Sequence, residues 1–219
     1  MGRYQITAVM MALAIVLGCA STATAGDWES VGTTDGVTVY VQERPGSDDF
    51  AMRGEMTANV HIGKIIRVFT NPNDRRHWIA NYVDHESMDL SQSGETYWLE
   101  LDPSRLTSSR DYVIQSQHTF DADSRTFTSE ANSIEDSRKP EQDCCVRATT
   151  KTKYVFEAVE GREQVKLSVE VETDPGGRIP SRIVRSTMED WPVTTLTNLV
   201  RRASIDAMPV DPRAEDWHE

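Results

Sequence analysis

The chain has 219 residues, a formal net charge of −12, and 38% hydrophobic against 26% charged residues. This balance excludes a collagen, a low-complexity coil and a multi-span membrane protein, and the acidic surplus excludes a nucleic-acid binder that must neutralise phosphates. The length suits one domain with a substantial core, and three cysteines are too few for a disulfide scaffold.

Residues 1–25 read as a secretory leader. Arg3 supplies a positive start, the stretch 6–17 is apolar apart from Thr7, and small residues follow. The apolar run is shorter than the roughly 20 residues of a spanning helix. A buried core helix is the competing reading, but such a helix would carry a polar face. Ala23-Thr24-Ala25 offers cleavage before Gly26 and release into the periplasm or beyond. Val16-Leu17-Gly18-Cys19 offers an alternative, a lipoprotein anchored through Cys19. Cleavage at Ala25 removes one cation, Arg3, so Lys plus Arg falls from 23 to 22 against 35 acids and the charge becomes −13.

Beyond the leader, Asp35-Gly36 marks a turn, and Val37, Val39 and Val41 alternate with polar neighbours as a strand. Arg44-Pro45-Gly46-Ser47 marks a second turn, and residues 50–60 return as a strand, predicting an N-terminal hairpin. Ile62, Ile65, Ile66 and Phe69 recur at helical spacing. Asn71-Pro72-Asn73 breaks that helix, and Asp74 is placed to cap a second one reaching Tyr82. Tyr97, Leu99 and Leu101 define the next strand. A longer one over 110–120 turns Arg110, Tyr112, Ile114, Ser116, His118 and Phe120 to one face. Residues 126–131 return, 135–143 form a polar loop, and 146–156 form a long strand with Ala148, Thr150, Thr152, Tyr154 and Phe156 on one face. Glu160-Gly161-Arg162 turns into a strand carrying Val165, Leu167, Val169 and Val171. A final helix is expected to start at Asp190, with Pro192 in its first turn and Leu196, Leu199, Val200 and Ala203 as its apolar stripe. Met208-Pro209 ends it. The domain therefore spans 27–208, with 209–219 as a frayed acidic tail.

Several inward strand positions are small or weakly polar: Ser116, His118, Ala148, Thr150 and Thr152. A solidly filled core prefers Leu and Ile. This mixture fits either the wall of a hollow or the ordinary strand preference of Thr.

Four segments in order complete the pattern: Asp35-Gly36-Val37-Thr38-Val39-Tyr40; Asp74-Arg75-Arg76-His77-Trp78; the stretch from Pro103 through Arg110-Asp111-Tyr112; and Asp174-Pro175-Gly176-Gly177-Arg178-Ile179-Pro180. With these, the chain over residues 27–207 resembles the START (steroidogenic acute regulatory protein-related lipid transfer) domains of the wider helix-grip superfamily. The resemblance implies an α+β fold in which a curved antiparallel sheet wraps a long C-terminal helix around a hydrophobic tunnel. It implies non-covalent lipid binding and transfer by a monomer that touches membranes transiently. The lipid is left open between a sterol, another polycyclic, a phospholipid and an acyl chain. It assigns the tunnel wall to Tyr97, Leu99, Arg110, Tyr112, Ile114, His118, Thr150, Tyr154, Phe156, Leu167, Val169, Leu196 and Leu199. By the same analogy Arg105 and Leu106, in the 101–109 loop, form a gate beside the C-terminal helix.

Arg110 reads either as a head-group contact or as half of a buried ion pair, with Glu55 one candidate partner. His118 reads as a wall residue or a ligand contact, and Trp191 as core or gate. Arg178, Arg182 and Arg185 share one helical face, which either meets phosphate head groups or is simply solvated. Cys144-Cys145 reads as two free thiols pointing opposite ways, or as a disulfide between neighbours. His61, His77, His85, His118 and His218 show no metal spacing, and no C-x-x-C or G-x-S-x-G occurs, so neither a metal, a cofactor nor a catalytic nucleophile is implied. Two alternatives stand beside the carrier. One is a cyclase- or aromatase-like enzyme using Tyr112, His118, Tyr154 and Arg110 for acid–base work in the same hollow. The other is an envelope sensor or scaffold.

Overall fold

The computed structural model describes residues 27–43, 50–102 and 108–219. The leader, the turn at Arg44 and the gate residues Arg105 and Leu106 lie outside the described residues.

The described chain is one large sheet closed over by helices. The strands are β1 (Glu29–Thr34), β2 (Val37–Glu43), β3 (Phe50–Ala58), β4 (Tyr82–Ser91), β5 (Gly94–Leu101), β6 (Ser109–Asp121), β7 (Thr126–Ser133), β8 (Cys145–Arg147), β9 (Thr149–Val159) and β10 (Gln164–Asp174). The helices are α1 (Ile62–Thr70), α2 (Arg75–Trp78) and α3 (Ser181–Ala203). The order across the sheet is β1-β2-β3-β10-β9-β7-β6-β5-β4. Neighbours on this path are antiparallel, and β8 alone pairs in parallel, with the start of β6. Joining β3 to β10 brings the two ends of the chain together and leaves β4 to β9 to form the other wing.

Period-2 alternation explains most strands. Val37, Val39 and Val41 are buried on one face of β2, and Val165, Leu167, Val169 and Val171 on one face of β10. The two edge strands are different. All six residues of β1 are exposed, and β4 alternates nothing, since both its faces meet solvent. Both form because their backbones complete the ladders of β2 and β5. The expected hairpin is therefore three strands. The second helix ends at Trp78, and Tyr82 begins a strand.

Other expectations need correction. Asp74 makes no cap to α2. Its carboxylate accepts from Arg202 of α3 at 2.7 Å and from Asn71 at 2.7 Å, pinning α3 to the α1–α2 corner. The long strand expected at 146–156 is two strands broken at Ala148, whose N–H donates to the Asp111 carbonyl at 3.0 Å. The final helix begins nine residues before Asp190, after Pro180. Pro192 therefore sits inside it, where it removes one helical hydrogen bond. The site is shaped for it: a Cβ added to Gly54 of β3 would lie 2.6 Å from the Pro192 Cβ, so glycine there lets α3 rest on the sheet. Met188, Pro192, Thr195, Leu196, Leu199 and Ala203 form the buried stripe of α3. It packs on α1, α2, β2, β3 and β10.

The tail is docked rather than frayed. Ala214 and Trp217 are buried, and Asp211 donates its N–H to the Gly63 carbonyl at 3.0 Å. The α1 N-terminus is capped by two imidazoles. Gly63 N–H donates to His61 Nδ1 at 3.0 Å, and Ile62 N–H donates to His218 Nε2 at 2.9 Å. Cys144 and Cys145 are joined as a disulfide instead of standing as free thiols.

Candidate functional site

A cavity of about 120 Å³ lies between the sheet and the helices; counting its open mouth, the empty space is about 1040 Å³. Tyr97, Leu99 and Leu101 of β5 and Tyr112, Ile114, Ser116 and His118 of β6 make one wall. Ser129 and Ala131 of β7, Thr150, Thr152 and Tyr154 of β9, and Val171 and Thr173 of β10 continue it. These residues are two apart along their strands, so the pleat turns them all to one side. Phe69, Trp78 and the α3 residues Thr187, Met188 and Trp191 close the cavity.

Aromatic rings set one end. Phe69 stacks on Trp78 at 5.2 Å between centroids and meets Tyr154, Phe156 and Phe127 edge-on at 4.8, 5.3 and 5.7 Å. Beside this cluster lies a buried ion pair. Arg75 of α2 donates to the two Glu95 carboxylate oxygens at 3.3 and 2.5 Å, with side-chain exposures of 6% and 4%. Ser87 donates to the same carboxylate at 2.5 Å, and the Arg75 guanidinium lies 3.9 Å from the Tyr97 ring centroid. Burial holds the His118 imidazole well below its usual range, at about 4, so it is neutral at pH 7, with Nδ1 3.1 Å from Ser129 Oγ. Burial pushes the Tyr154 phenol well above 10.

Of the wall residues expected from sequence, Tyr97, Leu99, Tyr112, Ile114, His118, Thr150 and Tyr154 line the cavity. Phe156, Leu167, Val169, Leu196 and Leu199 sit instead in filled core, each no more than 1% exposed. Arg110 is not among the residues that line the cavity. Its guanidinium donates to the Pro175 carbonyl at 3.0 Å and to the Ser108 carbonyl, fastening the β10–α3 turn to the start of β6. The pair with Glu55 does not form; Glu55 lies 3.5 Å from Arg53 instead. Asp111, on the opposite face, accepts from Trp98 Nε1 at 2.9 Å and from Arg147 at 3.1 and 2.8 Å. Burial raises its pKa, but these hydrogen bonds outweigh burial and hold the carboxyl below its usual range. Trp191 lines the cavity. Arg185 is tied to Glu43 and Glu189, while Arg178 and Arg182 are exposed.

Glu95 escaped sequence reasoning. Nothing local separates it from the chain's other acids, since its burial depends on Arg75 arriving from a different element.

The fold matches solved structures. A STAR-related lipid transfer protein from Xanthomonas axonopodis superposes with a TM-score of 0.72 and 22% identity, covering 81% of this chain and 99% of that one. The chain has the START fold. Human StAR-related lipid transfer protein 5 gives a TM-score of 0.70 at 20% identity, covering 80% of this chain and 86% of that chain. The Zhui aromatase/cyclase from a Streptomyces species is more distant, with a TM-score of 0.51 at 10% identity, covering 70% and 92%. An uncharacterized protein of Pseudomonas aeruginosa is 28% identical over 191 residues, 85% of this chain and 91% of that protein. No family model matches the sequence.

Proposed function

We propose that this protein binds a hydrophobic ligand in the START-fold cavity and carries it between membranes. The observation that carries this reading is the cavity itself, walled by five strands and three helices, mostly apolar, with a few inward polar groups. Exposing apolar lipid surface to water costs about 25 cal/mol per Å², and such a cavity removes that cost during transit. Ligand cavities are commonly about 300–1,000 Å³. At about 120 Å³ the present one is closed down, so loading a larger lipid requires Met188 and Trp191 of α3 and Leu101 at the end of β5 to move apart.

The carrier reading is favoured over the enzymatic one by the state of the candidate acid–base groups. His118 is neutral with a pKa of about 4, Tyr154 is raised well above 10, and Arg110 is committed to backbone carbonyls. Neither His118 nor Tyr154 is poised near pH 7 for proton transfer. A location in the periplasm or outside the cell is supported by the leader-like sequence of residues 1–25 and by the Cys144–Cys145 disulfide, which suits an oxidising compartment. Arg178 and Arg182, exposed beside Ile183 at 41% exposure, supply cations and apolar surface for a brief contact with a bilayer.

The test is native mass spectrometry of the protein purified after export with its own leader, joined to a lipid-exchange assay between two vesicle populations. A solvent-extractable adduct and accelerated exchange are expected. A ligand-free mass together with no exchange overturns the reading, and a rate indifferent to anionic lipid removes the docking role of Arg178 and Arg182.

A further inference from the structure

The charges lining the cavity cancel within the protein. Arg75 and Glu95 satisfy one another in a two-pronged pair, and Ser87 and the Tyr97 ring complete their surroundings. Among the described wall residues no other side chain is charged at pH 7, His118 being neutral. An incoming carboxylate, ammonium or phosphate therefore finds no unpaired counter-ion there. It must either stay unpaired in a dry site or break the Arg75–Glu95 pair, and both are strongly unfavourable.

Three donors at the aromatic end of the cavity remain unspent. Trp78 is 4% exposed and its Nε1–H has no hydrogen-bond partner. Tyr154 is 6% exposed, and neither its hydroxyl nor that of Tyr97 has a partner among the described residues. His118, by contrast, is occupied with Ser129. The Trp78 and Tyr154 rings are 6.1 Å apart, and Arg75, on the same short helix as Trp78, lies 3.9 Å from the Tyr97 ring centroid, so the three groups border one end of the cavity. An indole N–H only donates, and a buried donor left without an acceptor is destabilising.

We propose that the cavity selects an uncharged amphiphile carrying a hydroxyl or carbonyl oxygen, seated as acceptor among Trp78, Tyr97 and Tyr154, and rejects ligands with ionised heads. This rests on the hydrophobic-ligand reading above and narrows its chemical class.

The experiment uses one alkyl chain with three heads. Decan-1-ol, decanoate and decylammonium compete at pH 7 with the neutral fluorophore N-phenyl-1-naphthylamine for the exported protein. Decan-1-ol is expected to displace it at concentrations at least about 150-fold below either ion, the lower end of what an unpaired buried charge forfeits. Tyr154→Phe and Tyr97→Phe are each expected to weaken decan-1-ol about five- to tenfold, one neutral hydrogen bond's worth. Their unfolding midpoints should hold or rise, because each deletes an unpartnered hydroxyl. Decanoate or decylammonium competing as well as the alcohol overturns the inference and leaves the hydrophobic-ligand reading standing. So does undiminished alcohol binding in both tyrosine variants. Failure of the fluorophore to bind at all overturns both.

Discussion

Replacing Arg75 with methionine asks how dry the inner end of the cavity is. The substitution keeps side-chain length and apolar bulk but removes the cation. Glu95, with its side chain 4% exposed, would keep only the Ser87 hydroxyl as a side-chain donor. Breaking a buried pair by removing one partner destabilises by about 3–5 kcal/mol, because the other charge is left uncompensated. With a urea m-value of about 2 kcal/mol/M, that shifts the unfolding midpoint down by about 2 M. Removing both partners in Arg75→Met/Glu95→Leu takes away the desolvation penalty along with the attraction. The double variant should return to within about 1–2 kcal/mol of the parent. Urea titrations of the parent, the two single variants and the double variant complete the cycle. If Arg75→Met lies within about 1 kcal/mol of the parent, or if the double variant is no better than the single, the pair is not desolvated. The inner end of the cavity would then be wet enough to admit an ionised head group.

Acid should destabilise the fold through its neutral histidines. His118 has a pKa of about 4 when folded against 6.5 ordinarily, so below pH 6.5 the unfolded chain binds the extra proton. Stability is full above pH 6.5 and drains as pH falls toward 4, by about 3 kcal/mol at most. His61, lowered by burial and by its neighbour His218, acts with the same sign. Urea stability of the parent minus that of His118→Gln, measured at pH 7, 5.5 and 4, should fall steadily; parallel curves would count against a neutral, buried His118. The docked tail gives another test. Trp217→Ala deletes a side chain that is 6% exposed and packs near Phe120, and should cost about 3–5 kcal/mol, lowering the thermal midpoint by roughly 10 °C. A change below about 2 °C would mean that the tail contributes little to the fold.

Much of the architecture was legible from periodicity alone. Strands with one buried face announce themselves, as β2 and β10 do, and α1 shows its helical stripe. The same alternation put Tyr97, Leu99, Tyr112, Ile114, His118, Thr150 and Tyr154 on one side of their strands, and those side chains line the cavity. Of the small or weakly polar positions that fit either a hollow's wall or the strand preference of Thr, Ser116, His118, Thr150 and Thr152 border the cavity, while Ala148 is buried in the core. Where both faces of a strand meet solvent, as in β1 and β4, no pattern exists to read, because only the neighbouring ladder decides the conformation.

What the sequence determined by itself was set by forces acting within a few residues: hydrophobic alternation, helical spacing and turn chemistry. Tertiary structure decided everything that depends on residues far apart. Alternation marks a buried face but does not say whether that face meets empty space or other side chains, so Phe156, Leu167 and Val169 fill the core while Tyr154 borders the cavity. Glu95 becomes half of an ion pair only because α2 delivers Arg75 across 20 residues of sequence. Pro192 stays inside a helix because Gly54, far back on β3, leaves room for it. The charge balance of the cavity, on which its choice of ligand turns, exists only once these distant segments have met.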